Sequence, residues 1–176
     1  MLSGSRIKEE LNKTIFITPF SEKHLNSNSY NLTLGKRMLV YRDLVLDMKQ
    51  ENAVKEIIIP DDGFILVPGE LYLASTNENT YTTNYIPRIE GRSSVGRLGL
   101  FVHITASLGE AGFNGHWTLE LTCVKPLRIY ADVPICQIYF CEIDGDHDFC
   151  NSQKYQNSKV AMPSQLYREL EEINDA

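Results

Sequence analysis

Hydrophobic and polar positions alternate with a short period through most of this chain. Residues 5–12 (SRIKEELN) are the first exception: Ile7 and Leu11 share one face at i, i+4, and Ser3 or Ser5 can cap the turn, which predicts a short helix. Strand signals then run almost to residue 142: 15–18 (IFIT), 29–34 (SYNLTL), 38–41 (MLVY), 43–46 (DLVL), 56–59 (EIII), 63–67 (GFILV), 70–75 (ELYLAS), 117–123 (WTLELTC) and 135–143 (ICQIYFCEI). Turn formers punctuate them, as in Pro60-Asp61-Asp62-Gly63 and Pro68-Gly69. Many short strands without intervening long helices predict a single, mainly β domain, a distorted barrel or jelly roll with short N- and C-terminal helices. Residues 144–164 break the pattern. They are polar, poor in aliphatic side chains, and read as a linker or as a lid carrying Lys154, Tyr155 and Gln156. Residues 164–173 return to helical spacing, with Leu166, Leu170 and Ile173 on one stripe behind Ser164.

Composition narrows the function classes. The chain has 176 residues, of which 43% are hydrophobic, enough for a packed core. A net charge of −6 opposes nonspecific nucleic-acid binding, which needs a broad basic surface. The N-terminal MLSGSRIKEELNK lacks the apolar core of a secretory signal, and no long apolar run suggests a membrane span, so a cytoplasmic protein is expected. Cys123, Cys136, Cys141 and Cys150 follow no C-x-x-C spacing, and free thiols are expected of them.

Two stretches concentrate chemistry. Between residues 86 and 100, Arg88, Arg92 and Arg97 stand against Glu90 alone, a local charge of +3 − 1 = +2 in an acidic chain. Within it, Gly91-Arg92-Ser93-Ser94-Val95-Gly96-Arg97 combines glycines that let backbone amides approach a ligand with hydroxyls and guanidinium forks suited to phosphate oxygens. A helical turn starting at Ser93 would add amides to that anion site. The same residues also suit a solvated turn. In 117–123, alternation sends Trp117, Leu119 and Leu121 to one face and Thr118, Glu120 and Thr122 to the other. Glu120 therefore faces either solvent or a pocket. The four histidines (His24, His103, His116, His147) form no H-x-E pattern, so the zinc arrangement of many nucleobase deaminases is not expected. The Walker-type phosphate loop is missing too.

The stretches 91–106 (GRSSVGRLGLFVHITA) and 111–121 (AGFNGHWTLEL) resemble the dCTP deaminases, a family that shares a trimeric β fold with the dUTPases. Residues 29–35, 67–76, 135–140 and 154–158 extend the resemblance over most of the chain. The second Arg of R-S-S-x-x-R (Arg97) and the Glu of T-L-E-L (Glu120) are what separate these deaminases from plain dUTPases. The resemblance implies hydrolysis of dCTP to dUTP and ammonia, with Glu120 moving protons, Ser93 and the Ala106 carbonyl holding the water, and Arg97 stabilising charge. It implies nucleotide contacts from Arg92, Ser93, Ser94, Val95, Gly96, Arg97, Thr118, Leu119, Gln137 and Lys154. It also implies Mg²⁺ bound through the triphosphate, no zinc, and a homotrimer with sites between subunits.

Two departures qualify this. The family's I-D-[PA]-G turn here reads Gly109-Glu110-Ala111-Gly112, so the carboxylate expected at the sugar gains one methylene. Since a misplacement of about 1 Å can cost roughly 10²-fold in rate, weak or absent hydrolysis of dUTP is expected, with a bifunctional, dUMP-forming enzyme as the alternative. The K-Y-x-x-Q tail reads Lys154-Tyr155-Gln156-Asn157-Ser158, which puts Ser158 where a Gln would contact nucleotide. A nucleotide-binding relative without turnover is the third reading.

Overall fold

The computed structural model describes residues 1–103, 105–146, 148 and 154–174. Helix α1 spans Gly4–Glu10, and the choice between its two candidate caps falls on Ser3, whose hydroxyl accepts from the Arg6 amide at 3.2 Å. Next come β1 (Ile15–Thr18), β2 (Tyr30–Tyr41), β3 (Val54–Ile58), β4 (Phe64–Leu66), β5 (Tyr72–Thr82) and β6 (Tyr85–Gly91). A single helical turn, α2 (Ser93–Gly96), leads to β7 (Leu100–Phe101), β8 (Asn114–Cys123), β9 (Leu127–Ile129), β10 (Pro134–Glu142) and finally α3 (Leu166–Asn174).

The main sheet runs β6-β10-β2-β5-β8-β7, with β1 added against β5 and β3 against β2, and it curls into a nearly closed barrel. A small β4-β9 pair lies apart. The pairings among β2, β3, β5, β6, β8 and β10 are antiparallel. The core holds the inward residues of these strands, with Leu32, Leu34, Met38, Leu119, Leu121 and Phe140 all at 0% exposure. Each such side chain contributes about 1.5–3 kcal/mol by leaving water.

Three differences from the sequence reading have local causes. Residues 29–34 and 38–41, expected as separate strands, belong to one strand, β2, which changes register between Leu34 and Met38. Gly35 sits at that irregularity because a Cβ there would lie 2.8 Å from the Ser75 carbonyl oxygen; it permits close approach and does not end the strand. The expected strand at 43–46 is part of the β2–β3 connection: Leu44 is fully exposed, Val45 is 80% exposed, and Asp43 and Asn52 bond the loop's own backbone. Strand β6 went unpredicted because Pro87, Arg88 and Glu90 dilute its apolar content, yet Tyr85, Pro87 and Ile89 point inward at period two.

Cys123 and Cys136 are buried free thiols and Cys141 is a partly buried one, while Cys150 and His147 lie outside the described residues. Burial pushes the Cys136 thiol well above its ordinary range, which makes it inert. Among the described residues no helix is long and apolar enough to cross a membrane.

Candidate functional site

Strand β8 alternates strictly, with Trp117, Leu119 and Leu121 buried and Thr118 and Glu120 partly open. Leu119 thus belongs to the core, and only its backbone can meet a ligand. Thr118 and Glu120 open into a cavity of about 620 Å³. Its wall also includes His103, Ala106, Glu110, Phe113, His116, Trp117, Lys154, Tyr155 and Ser158.

The floor is built around His103. Strand β7 delivers the chain into a turn in which His103 adopts a left-handed backbone (φ 56°), a conformation uncommon outside glycine and retained where the surroundings fix it. Its imidazole is 7% exposed and lies edge-on to Trp117, with ring centroids 6.1 Å apart. Nε2 is 2.6 Å from the Ala106 carbonyl oxygen. Because that oxygen is only an acceptor, Nε2 carries the proton in this contact. Nδ1 lies 3.5 Å from Oε2 of Glu120, within ion-pair range but outside hydrogen-bond geometry, and both atoms are buried without a hydrogen-bond partner. Such groups are rare in folded proteins and mark strain or a missing partner. Trp117, which backs this pair, is fixed by its indole N–H donating to Thr80 Oγ1 at 2.8 Å and by a tilted ring contact with Phe113, centroids 5.0 Å apart.

The cavity is roofed by the polar segment after β10. The Asn157 amide donates to the Asn114 carbonyl, the His116 amide to the Ser158 carbonyl, and the Met162 amide to Thr118 Oγ1. Gln156 bonds both the Asn114 amide and the Gly112 carbonyl. Ser158 is buried, and its hydroxyl donates to the His116 carbonyl, so its role here is to fasten the segment along β8. The Lys154 ammonium contacts Glu169 of α3 and lies 5.7 Å from the Tyr155 ring centroid.

The arginine–serine stretch builds a second cavity of about 540 Å³, lined by Arg92, Ser93, Gly96, Gln137, Ser107 and others. Arg92 caps the backbone entry to α2 and donates to the Pro134 carbonyl at 2.7 Å. Gln137 accepts from Ser29 Oγ at 2.8 Å and donates to the Gly91 carbonyl at 3.1 Å. Val95 packs against the core, whereas Ser94 and Arg97 are exposed and line neither cavity. His103 belongs to both walls. Within one chain, then, Glu120, Ala106, Glu110, Thr118, Lys154 and Ser158 come together, and Arg92, Ser93, Gly96 and Gln137 come together separately.

Several wall residues escaped the sequence reading. His103, Phe113, Trp117 and Tyr41 look like strand or turn residues by type, and only the fold turns them towards Glu120. Among the described residues, no three His, Cys, Asp or Glu side chains converge as a ligand set for a metal ion.

The model of the dCTP deaminase-like family matches residues 1–143. This chain belongs to the dCTP deaminase-like family. The match spans every element from α1 through β10, and the segment roofing the cavity follows it. Similarity to individual family members extends further. The chain is 55% identical over 171 residues to the "dCTP deaminase, dUMP-forming" of Hathewaya histolytica, covering 97% of this chain and 99% of that protein. Proteins of the same name from Clostridium botulinum strain Alaska E43 and Cytophaga hutchinsonii are 53% and 50% identical over equal lengths, again covering 97% of this chain and 99% of each relative. The 2'-deoxycytidine 5'-triphosphate deaminase of Agrobacterium tumefaciens superposes with a TM-score of 0.63 at 18% identity. That match covers 79% of this chain and 47% of the other, and it shows the shared fold.

Proposed function

We propose that the protein is a dUMP-forming dCTP deaminase, converting dCTP and two waters to dUMP, pyrophosphate and ammonia. The observation that carries this reading is the pair of carboxylates, Glu110 and Glu120, on the wall of one cavity, with Glu120 Oε2 buried and unbonded. The expectation that hydrolysis stops at dUTP gives way here to its alternative, because the similar relatives bear the dUMP-forming name.

In the first half-reaction a water attacks C4 of the cytosine ring. Glu120 takes one proton of the water and delivers it to ring N3; as the C4 carbonyl forms, Glu120 carries the remaining hydroxyl proton to the amino nitrogen, which leaves as ammonia. The Ala106 carbonyl, with one lone pair on His103, keeps a second lone pair to orient that water. In the second half-reaction a water attacks the α-phosphorus, the bond to the bridging oxygen breaks, pyrophosphate leaves, and Glu110 holds the proton released. General acid–base assistance gives about 10²–10⁴-fold, and positioning supplies much of the rest. Mg²⁺ fits this site as an ion arriving on the triphosphate, since it favours oxygen ligands and Glu110 offers one at the rim; it would offset charge on the leaving pyrophosphate.

Ser93, Ser94 and Arg97 serve as phosphate and water contacts in this reading, and they do not line the cavity of Glu120. A homotrimer that sets the arginine–serine turn of one copy against the Glu120 cavity of the next would unite the two groups. A free nucleotide substrate supports a cytoplasmic setting for the enzyme.

Purified protein incubated with dCTP and Mg²⁺ should release ammonia and dUMP, with little free dUTP by ion-exchange chromatography. Accumulation of dUTP at the rate of ammonia release would restore the deaminase-only reading. Tight nucleotide binding without ammonia would remove the enzyme.

A further inference from the structure

Among the described residues that line the Glu120 cavity, Lys154 is the single Lys or Arg, facing two carboxylates, Glu110 and Glu120. Within one chain, that ammonium is the cationic contact the cavity wall offers a polyanionic ligand. Yet the ammonium is already paired, with Oε1 of Glu169, and Glu169 does not line the cavity. The pairing is organised from both sides. Lys154 lies over the Tyr155 ring, and the Tyr155 hydroxyl accepts from the Gln165 amide at 3.0 Å just ahead of α3. Ser164 next to it donates its amide to the Tyr41 hydroxyl, and Tyr41 is itself a wall residue. The start of α3 is thus fastened to the cavity rim, which delivers Glu169 to Lys154.

We propose that Glu169 is a built-in competitor for substrate phosphate: it occupies Lys154 in the empty enzyme, and a phosphate group must displace it. Glu169 acts through Lys154 and is a positioning residue, not a catalytic one. The inference rests on the nucleotide reading above, though only on its phosphate portion. Both partners are partly exposed, at 29% and 46%, so the competition is modest. Neutralising Glu169 should tighten phosphate binding by about two- to fivefold, the scale of an exposed ion pair.

Calorimetric titration with inorganic tripolyphosphate tests this on the full chain, without any need for turnover. Glu169→Gln and Glu169→Ala should both bind the probe more tightly than the wild type, and Lys154→Ala more weakly. Adding Glu169→Gln to Lys154→Ala should give no further gain. Glu171→Gln, a charge removed from an exposed site on the same helix, should change nothing. With dCTP, Glu169→Gln should lower KM and leave kcat unchanged. Unchanged or weaker tripolyphosphate binding in both Glu169 variants, a gain that persists without Lys154, or no binding by the wild type would each overturn the proposal. Failure of the wild type to deaminate dCTP, with the tripolyphosphate pattern intact, would instead remove the proposed function alone.

Discussion

Nδ1 of His103 and Oε2 of Glu120 lie 3.5 Å apart, both buried and neither hydrogen-bonded, at the bottom of the larger cavity. Two polar atoms left facing each other without a bond leave room for a substrate group or water to bond with either one. Replacing Glu120 by Gln keeps shape and volume but removes the proton acceptor. Ammonia release from dCTP should fall by about 10²–10⁴-fold, while the thermal midpoint stays near that of the wild type. Full activity in this variant would end the mechanism.

His103 joins Glu120 to the Ala106 carbonyl through a single ring. His103→Ala should therefore lower kcat by at least about tenfold, since small displacements of a water-binding carbonyl are costly. Stopped-flow assay of ammonia release measures it, and an effect confined to KM would show that the ring only shapes the cavity.

Glu110 is exposed and shares the cavity wall with the His103–Glu120 pair, without a hydrogen bond or ion pair between them. Glu110→Gln should leave deamination largely intact and make dUTP accumulate in place of dUMP. Glu110→Asp, which shortens the side chain by one methylene, should retain or raise dUMP formation. Product ratios by chromatography decide; equal loss of both products in Glu110→Gln would mean that the residue serves binding alone.

Truncation before Lys154 removes the cavity roof together with the one Lys or Arg among the described wall residues. The KM for dCTP should rise by tenfold or more, because charge-assisted contacts to phosphate are the stronger kind. Steady-state kinetics that do not change would show that the segment plays no part in substrate binding.

Leu119 is fully buried on the reverse side of the strand that presents Glu120. Leu119→Ala should cost about 2–5 kcal/mol of stability, as for other large-to-small core changes, readable as a shift of the urea midpoint. Leu119→Met should cost far less.

The barrel was legible from the sequence because period-two alternation is a local property. Residues 15–18 and 117–123 show inside and outside plainly, and the buried positions follow them. Strand β6 was not legible, since a proline and two charged residues mask an alternation that only its partner β10 makes evident. The site was legible in part. The spacing of Arg92, Ser93 and Arg97 and the polar side of 117–123 are visible in one dimension. What is not visible is that His103 turns left-handed and reaches Glu120, or that Ser158 bonds backward to His116; both depend on tertiary approach. The proposed product was harder still to read, because a one-methylene change at Glu110 speaks to reach and not to where the carboxylate finally sits.

Strand β8 is held by β5 along one margin, but β7 reaches only Thr122 and Cys123 along the other. The backbone of Asn157 and Ser158 takes up the margin near Asn114 and His116. The segment after β10 thus shields a sheet border as well as a cavity. Its proteolytic loss would bare amides and carbonyls able to pair with any extended chain, so a clipped preparation should self-associate before it unfolds.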